Sequence, residues 1–503
     1  MNTAIILLLA FLGGSYLWAM RGTILGGQKG AIHPGAFLGL IIALATGSQY
    51  MMENMWVLTA VGGAAMFFGG SQSYGQTLDL AMEKDDFSRR TAGRVGIFMK
   101  GATWFGIFAG IIAFAFNALI GEYKPLEIVI FTALIPVCKW LGFLVLNSPQ
   151  KPQKGKLPIF YFSEGRFEMW GGLTFVVLQL LAFAIAKKDW FILTMTLVGF
   201  LAGGLGFTIG IIMQNSVKWA KETGRYIFGK LQRNGYVSGW KTMEFTLGGV
   251  GALGTIICFL LTYPKEKLAA FEASGASAFN LSDDIIKWLT IAWIVFAVIY
   301  CILSIIPEPP KKVSDIEARV KSGEISVKRA EELMKTASRE KSYAFRNALE
   351  GFADEVYHWF VLVYLGILLP LLGCTLVAKL LSVGMIFWVV AEKFIKKSYH
   401  KRGGYKKLLP FKIIIALVSV AIFALQFVTE FTGVLEFTPF ALFAYYLLSY
   451  EILEMITVLG PEGELRNITK KAKAGGDGSG LTIRVFSWFE IAVCLVIGAL
   501  IMF

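Results

Sequence analysis

The sequence predicts an all-α, polytopic integral membrane protein of about 14 transmembrane helices, with two to three parallel internal repeats around a cytoplasm-facing polar cavity. Three observations predict it: a composition too apolar for a soluble core, recurrent apolar runs of span length, and cations gathered in alternate loops. Of the 503 residues, 56% are hydrophobic and 17% charged, against about 45–50% and about 25% in soluble chains. A bilayer is the simplest host for the excess apolar surface.

A membrane helix needs roughly 20 apolar residues. Runs at 3–20, 35–52, 55–73, 95–117, 126–146, 169–187, 190–213, 243–263, 288–306, 357–373, 374–393, 411–429, 438–459 and 486–503 meet that length or come close. The second and tenth are short or interrupted by Gly and Pro, and 357–393 also reads as one bent helix and a turn. No Lys or Arg precedes the first run. A secretory signal carries a basic segment there, so the run is expected to be a retained first span.

The loops after odd-numbered spans, with the span ends at Lys393 and Lys412, hold about 39 of the 48 Lys and Arg. Cytoplasmic loops carry such an excess, so these loops are expected inside a plasma (inner) membrane and both termini outside. The net charge of +13 is then an expression of topology. No nucleic-acid partner is expected, although a basic soluble chain would suggest one.

The chain divides on this reading into 1–120 and 121–265, two membrane repeats of four helices each; 266–306, an outer loop and ninth helix; 307–346, a charged cytoplasmic helical loop; and 347–503, a C-terminal membrane bundle carrying a degenerate third repeat. Arg21 followed by Gly26-Gly27 recurs, 145 residues on, as Arg166 followed by Gly171-Gly172, and Lys100 recurs 144 residues on as Glu244. Arg346 with Gly351, and Glu490, are the fainter third copy. Units with an even number of spans repeat in parallel, about an axis along the membrane normal.

The connection LWAMRGTILGGQKGAIHPG (17–35) interrupts two apolar runs with Arg21, Gln28, Lys29, five glycines and Pro34. Irregular backbone at membrane depth survives only when buried in protein or lining water, and proline suits a first helical turn. This stretch is therefore expected to dip into the cavity wall; the alternative is a surface turn whose cations snorkel to lipid phosphates.

A charge in hydrocarbon costs about 2.5–3.5 kcal/mol on insertion scales, so ionisable residues inside spans point to a cavity or a partner. Lys100, Glu244 and Glu490 lie about two turns inside even-numbered spans. Around a repeat axis they would converge, one lysine with two glutamates, leaving an excess carboxylate. Desolvation raises a carboxyl pKa, which would let it carry a coupling proton or act as a general acid. Asp354, Glu355 and His358 open the tenth span, and Tyr450, Glu451 and Glu454 close the thirteenth. Gln76 and Gln214 follow the third and seventh, and Arg166, Glu168 and Trp170 stand at the start of the sixth.

Glu244, Glu454, Glu490 and Asp354 are the candidate coupling or catalytic carboxylates. Arg21, Gln28, Lys29, Gln76, Lys100, Arg166, Glu168, Trp170, Gln214, Trp240, Glu355, His358, Tyr450 and Glu451 are the candidate substrate-binding residues. Trp170 and Trp240 beside carboxylates suit a sugar, whose C–H faces stack on rings while its hydroxyls meet acceptors; the alternative is an interfacial aromatic belt. A structural ion pair is the corresponding alternative for the carboxylates.

The five cysteines lie in apolar runs with no CxxC spacing, and GTILGGQKG lacks the P-loop spacing GxxxxGK[ST]. No metal or cofactor is expected. The expected partners are the lipid bilayer, a small polar solute and a coupling ion. Two functions fit: a proton- or sodium-coupled secondary transporter of a sugar-like solute or organic anion, and an integral-membrane enzyme of glycoside hydrolase or transferase type using paired carboxylates. The outer halves of the spans carry acidic residues only at loops, such as Glu53, Glu122, Glu430 and Glu436. That asymmetry suits an enzyme, or a transporter resting open to the inside.

Overall fold

The computed structural model describes residues 2–20, 29–72, 74–147, 168–223, 239–277 and 366–374, with isolated positions elsewhere between 288 and 379 and at 492. Among the described residues every regular element is helical. In chain order these are α1 (Thr3–Met20), a 3-10 turn (Lys29–Ala31), α2 (Ile32–Thr46), α3 (Gln49–Glu53), α4 (Met55–Gly69), α5 (Gly75–Ala81), α6 (Phe87–Leu119), α7 (Pro125–Gly142), which runs on as a π-helical turn (Phe143–Asn147), α8 (Trp170–Lys187), α9 (Trp190–Thr223), α10 (Gly239–Thr262) and α11 (Lys265–Ala273). One further helical turn is Leu369–Leu371. Five helices, α6 to α10, are long and apolar enough to cross a membrane, and α1, α2 and α4 are shorter apolar helices. This suggests a membrane protein.

Each of the first eight expected spans coincides with one of these helices, and the other six fall almost wholly outside the described residues. The boundaries differ for physical reasons. Helix α6 begins at Phe87 rather than near 95 because Asp86 caps it, its carboxylate accepting from the Arg89 N–H at 3.0 Å. A cap extends a helix through polar residues, which apolarity alone does not register. The expected span 35–52 stops at Thr46, where Gly47 takes the left-handed conformation (φ +67°) that ends helices. Ser48 then caps the short α3 by accepting from the Met51 N–H. Pro34 sits in the first turn of α2, where its missing N–H has no intrahelical role.

Helix α6 is the centre of the bundle. Its apolar span is wholly buried, and Trp104, Phe105 and Phe108 are among the largest fully buried side chains. It packs against α4, α5, α8 and above all α9; α9 packs on α10, α10 on α1, and α2 on α4. Glycine makes the closest of these contacts. A Cβ on Gly101 of α6 would land on the Gly203 carbonyl oxygen of α9, and a Cβ on Gly203 would land on that of Gly101. Lipid is as apolar as leucine, so helices in a membrane associate through such close van der Waals packing.

Helix α7 is peripheral. Leu126, Ile130, Leu134, Val137, Leu141 and Val145 are exposed and recur at the three- and four-residue spacing of one helical face. In water this stripe would be a liability; against acyl chains it is the expected surface.

The two ends of the bundle are built differently. At the end where α6 passes into α7, surface ion pairs and a cap tie the turns together. Lys267 of α11 meets Glu122 at 2.6 Å, and Lys187 pairs with Glu127. Glu272 of α11 accepts from the Ser48 hydroxyl at 3.1 Å and the Tyr50 N–H at 3.2 Å, while the Tyr50 hydroxyl donates to the Leu119 carbonyl at 2.7 Å. Asp189 caps α9 through the Ile192 N–H at 3.0 Å, and its other oxygen accepts from the Asn117 amide at 2.7 Å and from the Tyr123 hydroxyl. Burial, and then the Asp189 charge, push the Tyr123 phenol above its ordinary range. Asn117 and Asp189, the latter in the turn between α8 and α9, thus form a partly buried polar network at this end.

Candidate functional site

The opposite end gathers the candidate residues. Lys100 projects from α6 at a position with no exposure, and Glu168, two residues before α8, is equally buried. The ammonium meets Glu168 Oε1 at 3.0 Å and Oε2 at 2.9 Å, and donates to Thr77 Oγ1 of α5 at 2.7 Å. The hydrogen bonds run to Thr77 Oγ1 and Glu168 Oε1, and Glu168 Oε2 adds its charge at ion-pair distance. Glu168 is held in place by the start of α8, where the Gly171 N–H donates to Asn147 Oδ1 at 2.7 Å, fastening α8 to the end of α7.

A second ion pair lies at the start of α10, between Lys241 and Glu244. The three-residue spacing puts both on one helical face. Lys241 Nζ also donates to the Ala19 carbonyl at 2.6 Å. That oxygen belongs to the last turn of α1, whose carbonyls lack intrahelical partners. Glu244 Oε1 accepts from the Trp240 indole N–H at 3.0 Å.

Aromatic rings join the two pairs. Trp240 stacks on Tyr74 with centroids 6.0 Å apart. Tyr74 meets Phe207 edge-on at 5.5 Å and Trp104 at 6.4 Å, and Trp104 meets Trp18 at 4.8 Å. The Trp104 indole N–H donates to the Met66 carbonyl at 2.7 Å, which fixes its ring. Around this stack stand Gln72, Gln76 and Gln214. The Gln72 amide donates to the Lys100 carbonyl at 2.9 Å and the Gly69 carbonyl at 3.1 Å. The Oε1 atoms of all three glutamines are buried with no hydrogen-bond donor.

Glu168, Lys100, Gln76, Gln214, Trp240 and Glu244 therefore stand at one end of the described bundle. Trp170 is buried there as the first residue of α8. Of Lys29, the backbone is described, in the 3-10 turn before α2. Arg21, Gln28, Arg166, Asp354, Glu355, His358, Tyr450, Glu451, Glu454 and Glu490 lie outside the described residues.

The pairing differs from the expectation. Lys100, Glu244 and Glu490 are expected to converge; Glu490 lies outside the described residues, and the ion pairs formed are Lys100 with Glu168 and Glu244 with Lys241. An offset between repeats aligns positions along two helices, but it does not set which neighbour a long side chain reaches. Lys241, Thr77, Tyr74, Trp18 and Trp104 were not foreseen as site residues. Lys241 carries a signal in the sequence, three residues before Glu244 on the same helical face. Among the described residues no group of three or more His, Cys, Asp and Glu is placed to hold a metal.

No family model, curated protein or solved structure matches the chain. The functional reading rests on the site alone.

Proposed function

We propose that the chain is a secondary active transporter of a small polar solute, coupled to protons or sodium, in the inner membrane, with large loops cytoplasmic and both termini outside. On this reading the site end faces the cytoplasm. Parallel repeats would supply matching walls; Asp354, Glu454 and Glu490, the other expected carboxylates, lie outside the described residues. The observation that carries the reading is the aromatic stack, Tyr74 on Trp240 and against Trp104, bracketed by two buried ion pairs and three acceptor-only glutamine oxygens. Buried ionisable residues in a membrane bundle are a functional-site hypothesis by default.

The proposed mechanism follows from the bonds of Glu244. Ionised, it holds Lys241 and the Trp240 indole. A proton or sodium ion arriving on this carboxylate would discharge the pair. It would loosen Lys241 from the last turn of α1 and free the Trp240 ring from Tyr74. Binding of the ion and rearrangement of the solute site are thereby linked through one side chain. A ligand shifts a two-state equilibrium only by its differential affinity, and this bond set changes with the protonation of Glu244.

Uptake into proteoliposomes under proton and sodium gradients tests the proposal. Gradient-dependent accumulation, lost in Glu244→Gln, is expected. Product formation in detergent without vesicle uptake would replace the transporter with the membrane enzyme.

A further inference from the structure

We infer that α4 and α5 are the two halves of one interrupted membrane span, and that the interruption opens a water-filled recess reaching the middle of the bilayer from the side on which α6 begins. The recess admits a small hydrophilic molecule as far as Ser71, Gly75 and Gln76, and the Lys100–Glu168 pair stays dry behind them. The inference needs only that the bundle lies in a membrane, and it holds for a transporter or an enzyme alike.

Helix α9 measures the depth. Trp190, Leu197, Leu201, Leu205, Ile212 and Trp219 are exposed, and steps of four or seven residues keep them on one helical face. The two tryptophans are 29 residues apart, about 44 Å along the helix. A bilayer with its headgroup regions is about 40–45 Å thick, and tryptophan favours both of its interfaces. Gly203, which touches Gly101 of α6, lies 13 residues from Trp190 and 16 from Trp219. Gly101 and its neighbour Lys100 therefore stand near the midplane, and α6 and α9 run on past them.

Helix α4 stops at this level. Its 15 residues, about 22 Å, fall short of a hydrocarbon core of about 30 Å. Near its end the Met66 carbonyl accepts from Trp104, and just beyond it the Gln72 amide donates to the Lys100 carbonyl. Helix α5 then resumes the same track along α6: Thr77 accepts from Lys100, and Gly93 backs on Ala81. The 15 and 7 residues of the two pieces give about 33 Å of helix, enough to cross.

Between the pieces Gly70, Ser71, Gln72 and Tyr74 are not helical. Backbone of that kind is tolerated at membrane depth only when it is buried in protein or lines water. Protein does not enclose it: Ser71, Gln72, Tyr74, Gly75 and Gln76 are only half-buried, and a Cβ added to Gly75 would meet no described atom within 4 Å. The space beside them is therefore wet.

The test offers Ser71→Cys, Gly75→Cys and Gln76→Cys, in sealed membrane vesicles, a permanently charged methanethiosulfonate that lipid excludes. Leu205→Cys, beside Gly203 but on the outward stripe of α9, and Ser88→Cys, exposed at the start of α6, are the references. Labelling above that of the parent chain is read by mass spectrometry of the intact protein, with reagent on one side or the other. The thiolate is the reacting form and needs water to ionise. The three interruption positions should therefore label at least about tenfold faster than Leu205→Cys, and from the same side as Ser88→Cys. Labelling as slow as at Leu205→Cys would leave the interruption dry and overturn the inference, as would labelling from the side opposite Ser88→Cys. Leu205→Cys reacting as fast as Ser88→Cys would put the α9 stripe in water and remove the depth on which the interrupted span rests. Ser71→Cys changes one atom, so the outcome stands on it even where another variant does not fold.

Discussion

Removing the carboxylate of Glu168 while leaving Lys100 in place is the sharpest perturbation of this molecule. Both side chains have no solvent exposure, and the ammonium lies within 3.0 Å of both oxygens of this one group. Glu168→Gln strands a cation, Lys100→Met strands an anion, and each should destabilise by about 3–5 kcal/mol. The double variant Lys100→Met/Glu168→Gln leaves no charge behind. Replacing both partners of a buried pair is often neutral, so its loss should be within roughly 1 kcal/mol. The assay is thermal unfolding of purified protein in detergent, followed by tryptophan fluorescence. At roughly 2–4 °C per kcal/mol for domains of 150–250 residues, each single variant should melt on the order of 10 °C lower, and the double near the parent. Small, additive shifts would refute the reasoning: the pair would then be solvated.

Three further outcomes are expected. Glu244→Gln and Glu454→Gln should abolish transport with membrane expression intact; parental activity in both would discard the carboxylate mechanism. Gly203→Leu should abolish folded protein, since even a Cβ at that position meets the Gly101 carbonyl; normal yield and melting temperature would show that α6 and α9 are not in backbone contact. Tyr123, whose phenol is raised by burial and by Asp189, should make stability fall in alkali. The folded form holds its proton more tightly than the unfolded chain does. Its contribution is complete below the ordinary phenol value of about 10 and is lost as pH climbs through the raised folded value. Tyr123→Phe should flatten the melting temperature above pH 10, and an unchanged alkaline slope would contradict this.

The eight helices that coincide with expected spans, five of them long and apolar enough to cross a membrane, were legible because such helices are written in composition: a window of apolar residues is both the signal and the cause. Caps were less so. Gly47 and Asp86 moved boundaries through a backbone angle and a single hydrogen bond, which no average over a window contains. The candidate site was legible by exclusion, since Lys100, Glu168 and Glu244 stand out against hydrocarbon. Their partners were not. Thr77 is an ordinary threonine until α5 folds back on α6, and the ring stack needs Trp18, Tyr74, Trp104 and Trp240 to arrive from four elements far apart in the chain.

The backbone contact between Gly101 and Gly203 has a mechanical consequence. With no side chains to act as bearings, α6 and α9 cannot slide or roll past one another without their main chains colliding. They form one stiff spine, and Lys100, a residue away on that spine, is anchored to it. On the transporter reading, conformational travel would be carried by elements that hang on the spine, such as α1 and α10 at the Ala19–Lys241 bond, rather than by the spine itself.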